Sequence, residues 1–66
     1  MMEEERLKRL IMHWIEHNEE HKARYEEAAK EAKTLGLEAV AEALEQAAGK
    51  ASEISQKLRR ALEAFK

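Results

Sequence analysis

An unbroken alternation of four- and three-residue steps between apolar or small side chains constrains this chain more than any other feature. In the first half of the chain the rhythm passes through Leu7, Ile11, Trp14, Asn18, His21, Tyr25, Ala28, Ala32 and Leu35. In the second half it passes through Leu37, Ala41, Leu44, Ala48, Ala51, Ser55, Leu58, Leu62 and Phe65. Because this alternation is the spacing of a coiled-coil seam, it predicts two long α-helices.

Gly36 marks the one break between the two repeats, in a chain of 66 residues that contains no proline. Glycine suits the left-handed position just past a helix end, where Leu37 can fold back onto Ala32. We therefore predict helices over about residues 3–34 and 37–65, joined by a tight turn at Gly36. The predicted fold class is all-α: a single domain, residues 1–66, forming a long antiparallel hairpin in which residue i faces roughly residue 72 − i.

The apolar stripe is wider than a two-helix contact can cover. Leu10, Ile15, Val40 and Ile54 extend it beyond the seam. A homodimer of hairpins that forms a four-helix bundle would bury these side chains, and it is the assembly that we predict. A trimer, or a partner hairpin of different sequence, is an alternative that the pattern leaves open.

The three histidines of the chain, His13, His17 and His21, follow one another at four-residue intervals. Residues four apart are neighbours on a helix, so His17 and His21, or His13 and His17, are placed to chelate one ion through two imidazoles. We expect His21 to point into the seam, and we prefer the pair His17 and His21 as ligands. His13 and Glu20 are secondary candidates, which would form an alternative, more exposed site with His17. A second histidine pair from a two-fold-related subunit is an alternative completion of the site. Since the chain has no cysteine, the candidate ions are zinc, nickel, copper and cobalt.

A structural interpretation of the same segment stands beside the metal site. Folding about Gly36 is expected to bring together a polar layer in the middle of the seam, formed by Asn18, His21, Ser52 and Ser55. A polar layer of this kind fixes register and oligomer state in coiled coils, at some cost in stability. The alternative function is therefore a protein-interaction module that binds no ligand.

Several classes of function are excluded or disfavoured by composition. The absence of cysteine excludes disulfide scaffolds, and no apolar run is long enough to span a membrane. A net charge of −2 gives no nucleic-acid footprint, and the acidic N-terminus differs from a secretory signal, so we expect a cytoplasmic protein. His17 to His21 fits H-x-x-E-H, the zinc-peptidase pattern, but so short a chain has no room for a substrate cleft. We therefore expect a small soluble transition-metal-binding protein and not an enzyme.

The cluster His13-Trp14-x-x-His17-Asn18-x-x-His21 also carries a resemblance. It resembles a group of small, largely uncharacterised prokaryotic helical domains, which have an H-W-x-x-H-N-x-x-H first helix and an alanine- and leucine-rich second helix after a Leu-Gly turn. The similarity spans about residues 7–62. The resemblance implies the hairpin fold and suggests metal binding, and it implies no reaction.

Overall fold

The structure, a computed structural model, describes residues 2–65, which form two antiparallel α-helices. Helix α1 spans Met2–Thr34 and helix α2 spans Glu38–Glu63. Together they make a rod of 53 × 14 × 10 Å. The predicted all-α hairpin is confirmed, and α2 ends at Glu63 rather than at residue 65.

The turn between the helices is closed by backbone hydrogen bonds around Gly36. Gly36 has a φ of 76°, and it is the only described residue with a positive φ. Its N–H donates to the Lys33 carbonyl at 3.0 Å, and the Leu37 N–H donates to the Ala32 carbonyl at 2.8 Å. This pair of bonds is the Schellman motif, which satisfies the last carbonyls of α1 and reverses the chain.

The core between the helices is built almost entirely from small side chains. Of the six buried apolar residues in the described part of the chain, five are alanines: Ile11, Ala29, Ala32, Ala41, Ala48 and Ala51. Ser55 is also buried. At the open end, the Lys8 ammonium lies 5.4 Å from the centroid of the Phe65 ring. Because alanines remove little apolar surface from water, the hairpin has a narrow core with little stabilising burial.

The seam of α1 is rotated by one residue position from the prediction. Helix α1 turns Ile15, Lys22 and Ala29 toward α2, and these side chains are buried or half-buried. Trp14 and His21, which we expected to face α2, are exposed. The prediction that His21 points into the seam between the two helices is therefore wrong for the hairpin.

The physical reason is that apolar residues lie on both sides of the line of α1 that contains Ile11, as Trp14 and Ile15 show. The predicted and observed seams share the same central residues: Ile11, Asn18, Tyr25 and Ala32. They differ in the second line of residues that completes the stripe, which contains Trp14 in the prediction and Ile15 in the structure. Because successive residues are about 100° apart around a helix, these two lines lie on opposite sides of the shared one. The seam of α2 is lined by alanine and serine, which let the helices approach closely, so small Ala29 fits between them and bulky Trp14 lies outside.

Helix α2 shows the predicted seam. Its predicted positions from Ala41 to Phe65 are all buried or half-buried, and only Leu37, at the turn, is exposed. Over residues 2–65, neither helix is apolar enough along its length to cross a bilayer.

Candidate functional site

A polar cluster joins the two helices at mid-length and is centred on Asn18. The Asn18 side-chain amide donates to the Ala51 carbonyl at 2.6 Å and to Ser55 Oγ at 2.8 Å. Ser55 Oγ in turn donates to Glu19 Oε2 at 2.5 Å. In the described residues no buried side-chain nitrogen or oxygen lacks a hydrogen-bond partner. The cluster is therefore a satisfied hydrogen-bond network that joins α1 to α2.

The charge state of Glu19 depends on this network. The hydrogen bond from Ser55 lowers the pKa of Glu19 below its ordinary value of 4.5, because it stabilises the ionised carboxylate. Partial burial acts in the opposite direction, and the positive charges of Lys22 and Arg59 lower the pKa further. Glu19 is thus held ionised at neutral pH at the edge of the seam.

The predicted polar layer is only partly assembled. Asn18 and Ser55 take part in it as expected, whereas His21 is exposed on the surface of α1. Ser52 is half-buried and lines an open groove of about 590 Å³ with Lys22 and Glu26. The sequence interpretation missed Glu19, which takes a place in the network that we had expected for His21.

The histidine repeat lies on the exposed surface of α1. The His13 and His17 rings are neighbours, with centroids 4.2 Å apart and planes tilted by 54°. The His21 ring stacks on Tyr25 instead, at a centroid distance of 6.2 Å and an interplanar angle of 23°. All three histidines are exposed. The four-residue spacing therefore brings the first two imidazoles together, as the pattern predicts for a chelating pair.

The hairpin does not complete a metal site by itself. Glu20, the further ligand that we expected beside His13 and His17, is exposed on α1. Across residues 2–65, no three histidine or acidic side chains converge on a point that a metal ion would occupy. Since zinc and related ions in proteins generally take four ligands, one chain supplies at most half of such a site.

Two sides of the hairpin differ sharply in chemistry. We call the first the apolar face; it carries six large exposed side chains, namely Leu7, Leu10, Trp14, Leu35, Val40 and Ile54. Trp14 on α1 and Ile54 on α2 each immediately precede a seam residue, and such positions lie on the same side of an antiparallel helix pair. Both are about half exposed, at 46% and 50%.

The opposite side, which we call the charged face, carries the residues that immediately follow seam residues: Glu19, Glu26, Lys33, Glu45 and Arg59. Lys33 Nζ and Glu45 Oε2 form an ion pair across this face at 3.3 Å. Both side chains are more than half exposed, so the pair contributes little stability. Its geometry nevertheless shows that these positions of α1 and α2 share one side of the hairpin.

His17 and His21 belong to the apolar side of α1. His21 lies seven residues after Trp14, and His17 lies seven after Leu10, so each falls on the same stripe as its apolar counterpart. His13 lies on neither stripe, and it faces away from α2. The seven-residue spacing of the outward apolar positions was readable from the sequence, but it could be recognised as a second stripe only once the seam was known.

Comparisons with known proteins support the same class of small helical domain. The family described as Domain of unknown function (DUF8180) matches residues 7–65. An uncharacterized protein of Archaeoglobus fulgidus is 37% identical over 59 residues, covering 89% of this chain and 94% of the relative. No solved structure matches the chain. These matches confirm the resemblance to small uncharacterised prokaryotic domains, and they leave the function to be argued from the residues.

Proposed function

This chain belongs to the family described as Domain of unknown function (DUF8180), and we propose that it is a self-association module in which two copies pack their apolar faces into a four-helix bundle. The observation that carries the proposal is the one-sided placement of exposed apolar residues. Six of the large exposed hydrophobic side chains lie on one face, while the opposite face is charged. An exposed apolar face with a charged opposite side is typical of a protein interface.

The hairpin exposes more area than a compact monomer of its mass, and the excess is large enough for a dimer interface. The chain exposes 5374 Å², whereas a folded monomer of its mass, 7.6 kDa, is expected to expose about 4,300 Å². The excess is about 1,100 Å² per chain, and a standard interface buries about 800 Å² on each partner. A second copy is therefore a sufficient occupant for the apolar face.

The polar cluster would serve this assembly by fixing the shape of each subunit. An alanine seam has few large side chains that interlock, so it specifies the relative position of the helices only weakly. Asn18 binds both the backbone and a side chain of α2, and this pairing holds in one register only. The apolar side chains of α1 and α2 are then presented at fixed levels on a common face.

A pair of matched charge substitutions tests the assembly. Ile54 lies on the apolar face, and Met12 lies on α1 on the opposite side of the hairpin. The two side chains are similarly exposed, at 50% and 53%. In a two-fold dimer Ile54→Glu removes two apolar contacts. Because Ile54 is already half-buried in the hairpin, each contact is worth about 0.8–1.5 kcal/mol, so we expect dimerisation to be at least about 10-fold weaker than in the wild type. Met12→Glu should leave the dimer intact.

The readout is sedimentation equilibrium of both variants, with helix content followed by circular dichroism. Dimers of equal strength for Ile54→Glu and Met12→Glu would show that the apolar face is not the interface.

A second candidate function is the binding of a transition-metal ion through the histidine repeat. The observation that favours it is that the His13 and His17 rings are neighbours, with centroids 4.2 Å apart, because histidines four residues apart on a helix can bind one ion. Imidazoles without thiolates suit zinc, nickel, copper or cobalt. Storage, sensing or delivery of such an ion would each fit a small helical protein.

Thermal melting with and without chelator tests metal binding in general. Protein purified without a histidine tag and loaded with zinc should melt at a lower temperature after EDTA treatment, because ligand release removes binding free energy from the folded state. The double variant His17→Ala/His21→Ala should keep its helix content and lose the response. Identical melting temperatures of the wild type with zinc and with EDTA would contradict metal binding.

A further inference from the structure

His17 and His21 lie midway along the rod, where a two-fold axis of a hairpin dimer is expected. The hydrogen bonds from Asn18 to Ala51 and Ser55 place this level of α1 opposite Ile54 of α2. His17, His21 and Ile54 are all exposed on the apolar side of the hairpin. One level of the apolar face therefore carries two imidazoles on α1 and a large apolar side chain on α2.

A two-fold axis at this level sets α1 antiparallel to the α1 helix of the partner subunit. His17 then meets the partner's His21, and His21 meets the partner's His17. The same register sets Leu10 against the partner's Ala28, a large side chain against a small one, and it leaves Ile54 close to the level of the axis, near the partner's Ile54. The axis thus aligns imidazoles with imidazoles and Leu10 with a small apolar side chain, while Trp14 meets the partner's Arg24 and Leu7 meets the partner's Glu31.

We propose that the dimer holds one divalent transition-metal ion on its two-fold axis, bound by His17, His21, the partner's His17 and the partner's His21. The inference rests on the self-association proposed above, since one chain brings no third ligand to either histidine pair. Four imidazoles form a tetrahedral nitrogen site, which suits zinc and its spectroscopic substitute cobalt. To reach the ion, His17 swings from His13 and His21 swings from Tyr25, and the exposure of both rings leaves them free to do so.

The two-chain site and a site within one chain would use different histidines. His13 lies off the apolar face, so it makes no contact with an ion on the two-fold axis. A site within one chain would instead use His13 with His17, the pair already adjacent in the hairpin. His13→Ala is therefore a matched control for His21→Ala, because both replace an exposed imidazole on the same helix.

The experiment titrates the metal-free dimer, purified without a histidine tag, with cobalt and then zinc. Cobalt absorption reports tetrahedral coordination, calorimetry gives the stoichiometry, and sedimentation reports the mass of each variant. We expect saturation at one ion per two chains. We also expect at least 100-fold weaker binding in His21→Ala and in His17→Ala, and less than threefold change in His13→Ala.

Each contrary outcome has a distinct meaning. One ion per chain that is lost in His13→Ala would overturn the two-fold site in favour of the single-chain pair. A dimer that binds neither cobalt nor zinc below millimolar concentration would overturn the site and leave self-association standing. A chain that is monomeric with and without metal would overturn both proposals.

Discussion

Asn18 makes the only side-chain hydrogen bond from α1 to the backbone of α2 in the described residues. Replacing it with alanine removes two hydrogen bonds and leaves the buried Ser55 hydroxyl with one partner fewer. We expect Asn18→Ala to lower the free energy of unfolding by about 1–3 kcal/mol. Urea denaturation at fixed protein concentration measures the change.

Glu20→Ala is the control for Asn18→Ala, since Glu20 is an exposed residue of the same helix segment and lies outside the network. Its effect should stay within about 0.5 kcal/mol. Equal losses in the two variants would mean that the network does not stabilise the hairpin.

Glu19 gives the fold a defined response to acid. Its pKa is lowered in the folded state, chiefly by the Ser55 hydrogen bond, so ionised Glu19 favours folding above its unfolded value of 4.5. This contribution is lost as the pH falls through the lower folded value. The stability difference between wild type and Glu19→Gln should therefore be largest at neutral pH and shrink below pH 4.5.

Denaturation curves at a series of pH values test this response, with Ser55→Ala as a second variant. Removing the Ser55 hydroxyl takes away the main cause of the shift in the pKa of Glu19, so Ser55→Ala should reduce the acid dependence as well. A difference between wild type and Glu19→Gln that is constant across the pH series would contradict the account.

At the scale of the elements, we expect the same substitution to have opposite effects at the two glycines. Gly36 ends α1 at a φ of 76°, which alanine adopts only with strain, so Gly36→Ala should destabilise the hairpin by about 1–2 kcal/mol. Gly49 lies inside α2, and nothing stands within 4 Å of where its Cβ would be. Gly49→Ala should therefore stabilise the protein by about 0.5–1 kcal/mol.

Thermal melts of the two glycine variants at one concentration check the signs. Stabilisation by Gly36→Ala would mean that the turn does not need the left-handed conformation. Destabilisation by Gly49→Ala would mean that the open side of α2 is covered by something that the isolated hairpin lacks.

The helices differ in how well the sequence predicted their packing. The turn was predictable because Gly36 interrupts two continuous repeats. The predicted seam of α2 was correct, although Val40 and Ile54 lie on a second apolar line beside it. The seam of α1 was not, because Trp14 and Ile15 offer apolar lines on either side of Ile11. Only the close approach of the two helices decides between those lines.

The same ambiguity explains why the residues of the polar cluster were only partly predicted. Once α1 rotates by one position, His21 moves to the surface and Glu19 reaches Ser55. Glu19 could not have been singled out beforehand, because α1 contains many glutamates at similar spacings. The histidine spacing placed the His13 and His17 rings side by side, whereas His21, which we had expected to pair with His17, stacks on Tyr25.

At the scale of the whole molecule, the hairpin combines a narrow alanine core with a wide apolar face. Among residues 2–65, Ile11 is the only large apolar side chain that is fully buried, so the core supplies little of the burial that stabilises small domains. Packing a second copy on the apolar face would add the missing burial. Folding and association should then be coupled, as in obligate homodimers.

The central claim is tested most directly by the dependence of folding on concentration. Sedimentation equilibrium and thermal melting of the wild-type chain, measured together over a hundredfold dilution, report mass and stability on one sample. Coupled folding and association predict twice the chain mass of 7.6 kDa at high concentration and a melting temperature that falls with dilution. A 7.6 kDa species that melts at the same temperature throughout would contradict the account.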